Sequence, residues 1–131
     1  MRAQFFDRQD TGNPLNGVEL EDPEALRRIV RSMQLRAPFL AELIGTNGHA
    51  LLLGLGSSDG CVQFSSNDGA PPYMMAVRPN GEQEGEQDFL ISSTPSPVSR
   101  RYCLPMQKVA EIAATFLENG ERYPDVEWEE I

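Results

Sequence analysis

Few residues of this chain could carry chemistry: one histidine, two cysteines, a glycine-rich stretch and two groups of carboxylates. His49 stands in TNGHALLL, at the edge of a turn. A general base there needs an orienting carboxylate and a nucleophile within hydrogen-bond reach. Ser57, Ser58, Ser65 and Ser66 are available as residue types, but no G-x-S-x-G elbow presents any of them. A turn-edge histidine beside a strand reads as surface. Cys61 and Cys103 both sit in segments of strand character and read as buried free thiols. Two sulfurs are too few for a structural zinc site, and one imidazole supplies no histidine cluster. The run Gly54-Leu55-Gly56-Ser57-Ser58-Asp59-Gly60 lacks the lysine of a phosphate loop and leads into a strand, CVQFSS, so it reads as a hairpin. The sequence therefore predicts no catalytic residue, no metal and no cofactor.

The carboxylates are more telling. Glu82, Glu84, Glu86 and Asp88 alternate within GEQEGEQD, so an extended backbone puts them on one side. Their spacing is not that of a calcium loop. Twenty acids against eleven bases give a net charge of −9, and the excess is concentrated at one end. Residues 1–36 are balanced, whereas residues 111–131 carry seven acids and a single base, Arg122. Such a field repels phosphate backbones and draws in positively charged partners. Direct nucleic-acid binding is not expected. Residues 82–88 read either as a solvated loop or as a docking element for a cationic surface.

These side chains must be held by a scaffold of 131 residues, which predicts one domain over 1–131. Asp22-Pro23 reads as N-cap and first helical residue, with Leu26, Ile29, Val30 and Met33 at helical spacing, so the pattern predicts a helix over about 23–35. A second helix is expected over about 105–119, closed by Gly120, with Met106, Val109, Ala110, Ala113, Phe116 and Leu117 as its apolar stripe. Between them the period changes. FLAELIG, HALLLGLG, CVQFSS, YMMAVRP, DFLISS and VSRRYC are separated by TNG, SSDG, NDGAPP, PNGEQEGEQ and TPSP, all turn chemistry. The first 20 residues read as a loop after a short apolar opening, and VEWEEI as a final short strand. The expected class is α+β: an antiparallel meander of about five to seven strands with two helices packed on it. No apolar stretch approaches the roughly 18 residues that span a bilayer, and the opening MRAQFFDRQD lacks the apolar core of a secretion signal. A cytoplasmic location without membrane contact is expected.

The C-terminal third also resembles a known family. AATFLENGERYPDVEWEEI is similar to the C-terminal signature of an immunity-protein family of bacterial polymorphic toxin systems, α+β inhibitors typically encoded beside deaminase-superfamily toxins. The likeness rests on Ala113-Ala114-Thr115-Phe116, Gly120, Pro124 and Val126-x-Trp128, and more loosely on the hairpin LLLGLGSSDGCVQF. It implies a protein that binds a cognate toxin in the producing cell and blocks it. A nucleic-acid deaminase needs a basic groove for substrate phosphates, which a concentrated negative field can occupy. Rim charges alone add little affinity, so a desolvated aromatic or aliphatic centre is required, with Tyr73, Phe89 and Trp128 as candidates and Glu127 and Glu129 beside the last. The alternative reading is an acidic scaffold or adaptor that docks a basic partner other than a toxin.

Overall fold

The computed structural model describes residues 1–79 and 84–131. Among these, strand β1 spans Ala3–Asp7 and β2 spans Glu19–Leu20, followed by helix α1, Pro23–Ser32. A meander follows: β3 (Phe39–Gly45), β4 (His49–Leu55), β5 (Asp59–Ser66) and β6 (Met74–Ala76). A hairpin of β7 (Glu86–Ile91) and β8 (Thr94–Ser99) comes next, and then a 3-10 turn at Arg100–Tyr102. The chain closes with β9 (Leu104–Pro105), helix α2 (Met106–Asn119) and β10 (Trp128–Glu130). The main sheet runs β10-β6-β5-β4-β3-β1-β2. This is the expected α+β architecture.

The helices form as their caps dictate. The Asp22 carboxylate accepts the Glu24 N–H at 3.0 Å, with Pro23 supplying a preset φ at the first helical position. Helix α1 ends at Ser32, short of the expected 35, and the chain turns through Met33–Arg36. Helix α2 stops at Gly120, whose φ of +74 suits glycine, and whose N–H meets the Phe116 carbonyl at 2.7 Å. A Cβ there would lie 2.2 Å from Asn47 Nδ2, because Asn47 reaches over to hold the Gly120 carbonyl at 2.8 Å. The β3–β4 turn and the end of α2 are thereby tied together.

Strand alternation sorts the core. Phe5, Phe39, Ala41, Leu43, Leu51, Leu53 and Val62 point to one face and pack under Leu26, Val30, Val109, Ile112, Phe116 and Leu117 from the two helices. The opposite face carries a smaller core of Leu40, Cys61, Met75, Phe89 and Cys103. It is closed by the β7–β8 hairpin folding back over the sheet. Gly54 makes room for this, since a Cβ there would come within 2.5 Å of the Phe89 ring.

Three expectations need correcting. The first 20 residues are not all loop: β1 pairs along its whole length with β3. Alternation was masked because Asp7, an acid, takes an inward position. TPSP is not a turn but the first part of β8, and the hairpin turns at Ser92-Ser93, both with positive φ (+47 and +66). Prolines 95 and 97 are tolerated because β8 pairs only with β7 and its other edge needs no donor. VSRRYC is strand only to Ser99, where the Ser99 hydroxyl caps the 3-10 turn. The sheet is antiparallel as expected, with one short parallel contact where β7 meets β3 at Phe39 and Leu90.

Candidate functional site

The alternating carboxylates divide at the boundary of what is described. Glu82 lies outside the described residues. Glu84 is exposed before β7, and Glu86 and Asp88 share the outward side of that strand. None of these three forms an ion pair among the described residues. Their neighbour Gln87 does anchor, its amide donating to the Asp59 carbonyl at 3.2 Å. The result is an acid row on a tethered strand with its charge uncommitted.

Phe89 does not belong to that surface. It is fully buried against Leu40, Cys61 and Met75, so it is a core residue and unavailable to a partner in this fold. The pattern EQDF places it inward for the same reason that Glu86 and Asp88 face outward. Tyr73 is half-buried, with its hydroxyl donating to the Gly69 carbonyl.

Trp128 and its flanking acids part company. Trp128 lies opposite Ala76 on the helix-bearing face, half-buried, its indole N–H donating to the Tyr123 carbonyl at 2.9 Å. It packs edge-on to Phe64, with centroids 6.4 Å apart. Glu129 lies opposite Met75 on the other face. There it accepts from Arg101 Nη2 at 2.6 Å and from the Tyr102 hydroxyl at 2.6 Å. The Arg101 hydrogen bond, then that of Tyr102, holds the Glu129 carboxyl below its ordinary range, while Glu129 raises the Tyr102 phenol. Glu129 is thus spent inside the fold, and Arg101 finds its role as the partner. Glu127 is exposed, its carbonyl accepting the Val77 N–H at 2.8 Å.

Sequence reading missed a cluster that four separate segments assemble. The His49 ring stacks on Phe64 at 4.8 Å with an interplanar angle of 26°. Phe64 meets Phe116 edge-on at 6.1 Å, and the Arg122 guanidinium lies 5.8 Å from its centroid. A cleft of about 490 Å³ opens here, lined by His49, Phe64, Arg122, Tyr123, Val126 and Trp128. A second of about 260 Å³ adjoins it toward Ser65, Ser66 and Met74. The advance signal was register: with SSDG as the turn between β4 and β5, His49 falls opposite Ser66 and Leu51 opposite Phe64.

Another missed group is structural. The Asp7 side chain is fully buried, yet it accepts from Arg36 Nη1 at 2.6 Å, Asn13 Nδ2 at 3.0 Å, and the N–H groups of Gln9 and Asp10 at 2.9 Å each. Burial pushes its pKa up, but Arg36, Asn13 and the two backbone donors outweigh it and hold the group below the ordinary carboxylate value. Arg36 in turn stacks over Phe39 at 3.7 Å.

Chemistry of the enzymatic kind finds little support in this geometry. His49 makes no side-chain hydrogen bond among the described residues, so nothing there orients it as a base. Burial, and then proximity to Cys103, pushes the Cys61 thiol up to about 12, far from a reactive thiolate. Among the described residues no group of three or more His, Cys, Asp or Glu is placed to hold a metal ion. No described helix is long and apolar enough to cross a membrane.

What the described surface offers is a row of acids on β7 without ion pairs among the described residues, and an aromatic cleft with Arg122 at its lip. No curated protein matches the chain. Residues 16–130, spanning β2 to β10, do match the model of the family described as immunity protein Imm1, and the chain therefore belongs to that family.

Proposed function

We propose that this immunity protein binds a cognate toxin of the nucleic-acid deaminase class and occludes its basic substrate cleft, in the cytoplasm of the cell that makes both. The observation that carries the reading is the set of exposed carboxylates without ion pairs among the described residues, Glu84, Glu86 and Asp88, on a family member with net charge −9. A toxin that acts on nucleic acid must attract phosphates, and its cleft is correspondingly positive. Carboxylates already neutralised by internal arginines could not compete for it, as Glu129 illustrates. Those on β7 keep their charge for a partner, and the strand that carries them is pinned through Phe89 and Gln87. Preorganisation of this kind reduces the ordering cost of binding.

Occlusion needs no chemistry from the inhibitor. It needs only that the same surface which attracts substrate phosphates attract the inhibitor first. The test is co-expression with the toxin encoded beside this chain. Survival of cells that the toxin alone kills is expected, and death at an unchanged rate contradicts the reading.

A further inference from the structure

We propose that Arg122, with His49 beside it, forms a notch that accepts a carboxylate side chain of the toxin; this deepens the immunity reading and rests on it. Arg122 is the lone base among residues 111–131, set against seven acids. Its neighbours in sequence include Glu121 and Asp125, yet it forms no ion pair or side-chain hydrogen bond with any described residue. Instead its guanidinium carbon sits over the Phe64 ring, 5.8 Å from the centroid and near the outer limit of cation–π range. His49 stacks on the same ring. Both residues are exposed, and both line the two adjoining clefts, whereas Phe64 and Trp128 are half-buried beneath them.

A guanidinium held over an aromatic face is biased in orientation while its N–H donors stay free for a partner. That is the pose in which arginine receives a carboxylate bidentately. The surrounding field selects the occupant. Net charge in this stretch is negative, which disfavours a polyanion such as nucleic acid, but one carboxylate on an otherwise basic protein surface meets one arginine in an otherwise acidic one. The apolar floor beneath adds desolvated contact, as strong interface centres require. The arrangement also discriminates: a related toxin with a cation at that point meets Arg122 as a like charge.

The test is binding of the toxin domain encoded beside this chain to wild type, Arg122→Gln and Arg122→Glu, by surface plasmon resonance at fixed salt. Arg122 is exposed, so the thermal melting of both variants should match wild type. Arg122→Gln should weaken binding by about tenfold or more, mainly through faster dissociation, and Arg122→Glu by more still. Reversing one toxin Asp or Glu to Arg should restore binding to Arg122→Glu. Wild-type binding with both variants within about twofold of it overturns the notch and leaves the immunity reading standing. A loss that no toxin carboxylate reversal restores also overturns the notch, as does a change confined to self-association in sedimentation. If wild type itself fails to bind, the immunity reading falls, and the notch with it.

Discussion

Removing the Asp7 carboxylate should reveal how much one buried acid holds in this fold. Asp7→Ala strips the acceptor from four donors at once: Arg36, Asn13, and the N–H groups of Gln9 and Asp10. The ion-paired bond to Arg36 contributes about 1.5–3 kcal/mol, and each bond from a neutral donor to the carboxylate at least about 1 kcal/mol. Against that, the mutant no longer dehydrates a carboxylate, and water reaches the partly exposed Arg36 and Asn13. The balance is a loss of about 3 kcal/mol, near the lower bound for breaking a buried pair. For a domain of this size the corresponding shift in Tm is about 10 °C. Urea unfolding followed by circular dichroism measures it. The pH dependence gives a second check. Because the folded-state pKa lies below the unfolded value of about 3.9, the stabilisation is fully present above that value and is lost as pH falls through the folded one. Wild type and Asp7→Ala should therefore differ most at neutral pH and converge toward pH 2. A loss under about 1 kcal/mol, or a gap as wide at pH 2 as at pH 7, refutes the reasoning.

Phe89→Ala should cost about 3–5 kcal/mol by emptying the smaller core, and the β7–β8 hairpin should then exchange its amide protons far faster. Unaltered stability in chemical denaturation means that Phe89 is not seated on Gly54 and Cys61. Gly120→Ala combines a left-handed backbone with a clash on Asn47, so the end of α2 should fray and stability fall by about 1–2 kcal/mol or more; an unchanged denaturation midpoint argues against that cap. Cys61, its thiol raised to about 12, should resist a water-soluble disulfide reagent at pH 8 until the protein is unfolded. Rapid labelling of the folded protein counts against its burial.

How far the sequence was legible follows from the range of each signal. Both helices carry local signals: Asp22-Pro23 at one start, Gly120 at one end, and stripes between. The β3–β6 strands are marked by apolar runs, and turns of glycine and asparagine punctuate them. Strand β1 carried no such mark, because the inward Asp7 is compensated by Arg36 from a distant segment, and no local pattern encodes that pairing. TPSP misled because proline signals a turn unless the strand is an edge, and edges are decided by tertiary pairing. Phe89 next to an acidic run looked like an exposed aromatic, and only the fold-back of its hairpin makes it core. Trp128 is half-buried, packed against Phe64 on one side and lining the cleft on the other. The cleft itself draws on β4, β5, the segment after α2, and β10. Its chemistry becomes visible only when those pieces meet.

If negative charge on β7 steers this protein onto a positive toxin cleft, the association rate must depend on ionic strength. With the toxin domain immobilised, the on-rate for wild type should fall steeply as salt rises past about 0.1 M, where the screening length shrinks to about 10 Å. Glu84→Ser, Glu86→Ser and Asp88→Ser together should lower the on-rate at low salt and flatten that dependence, with little change in dissociation. An on-rate that ignores salt, or a triple variant that tracks wild type at every ionic strength, contradicts the account.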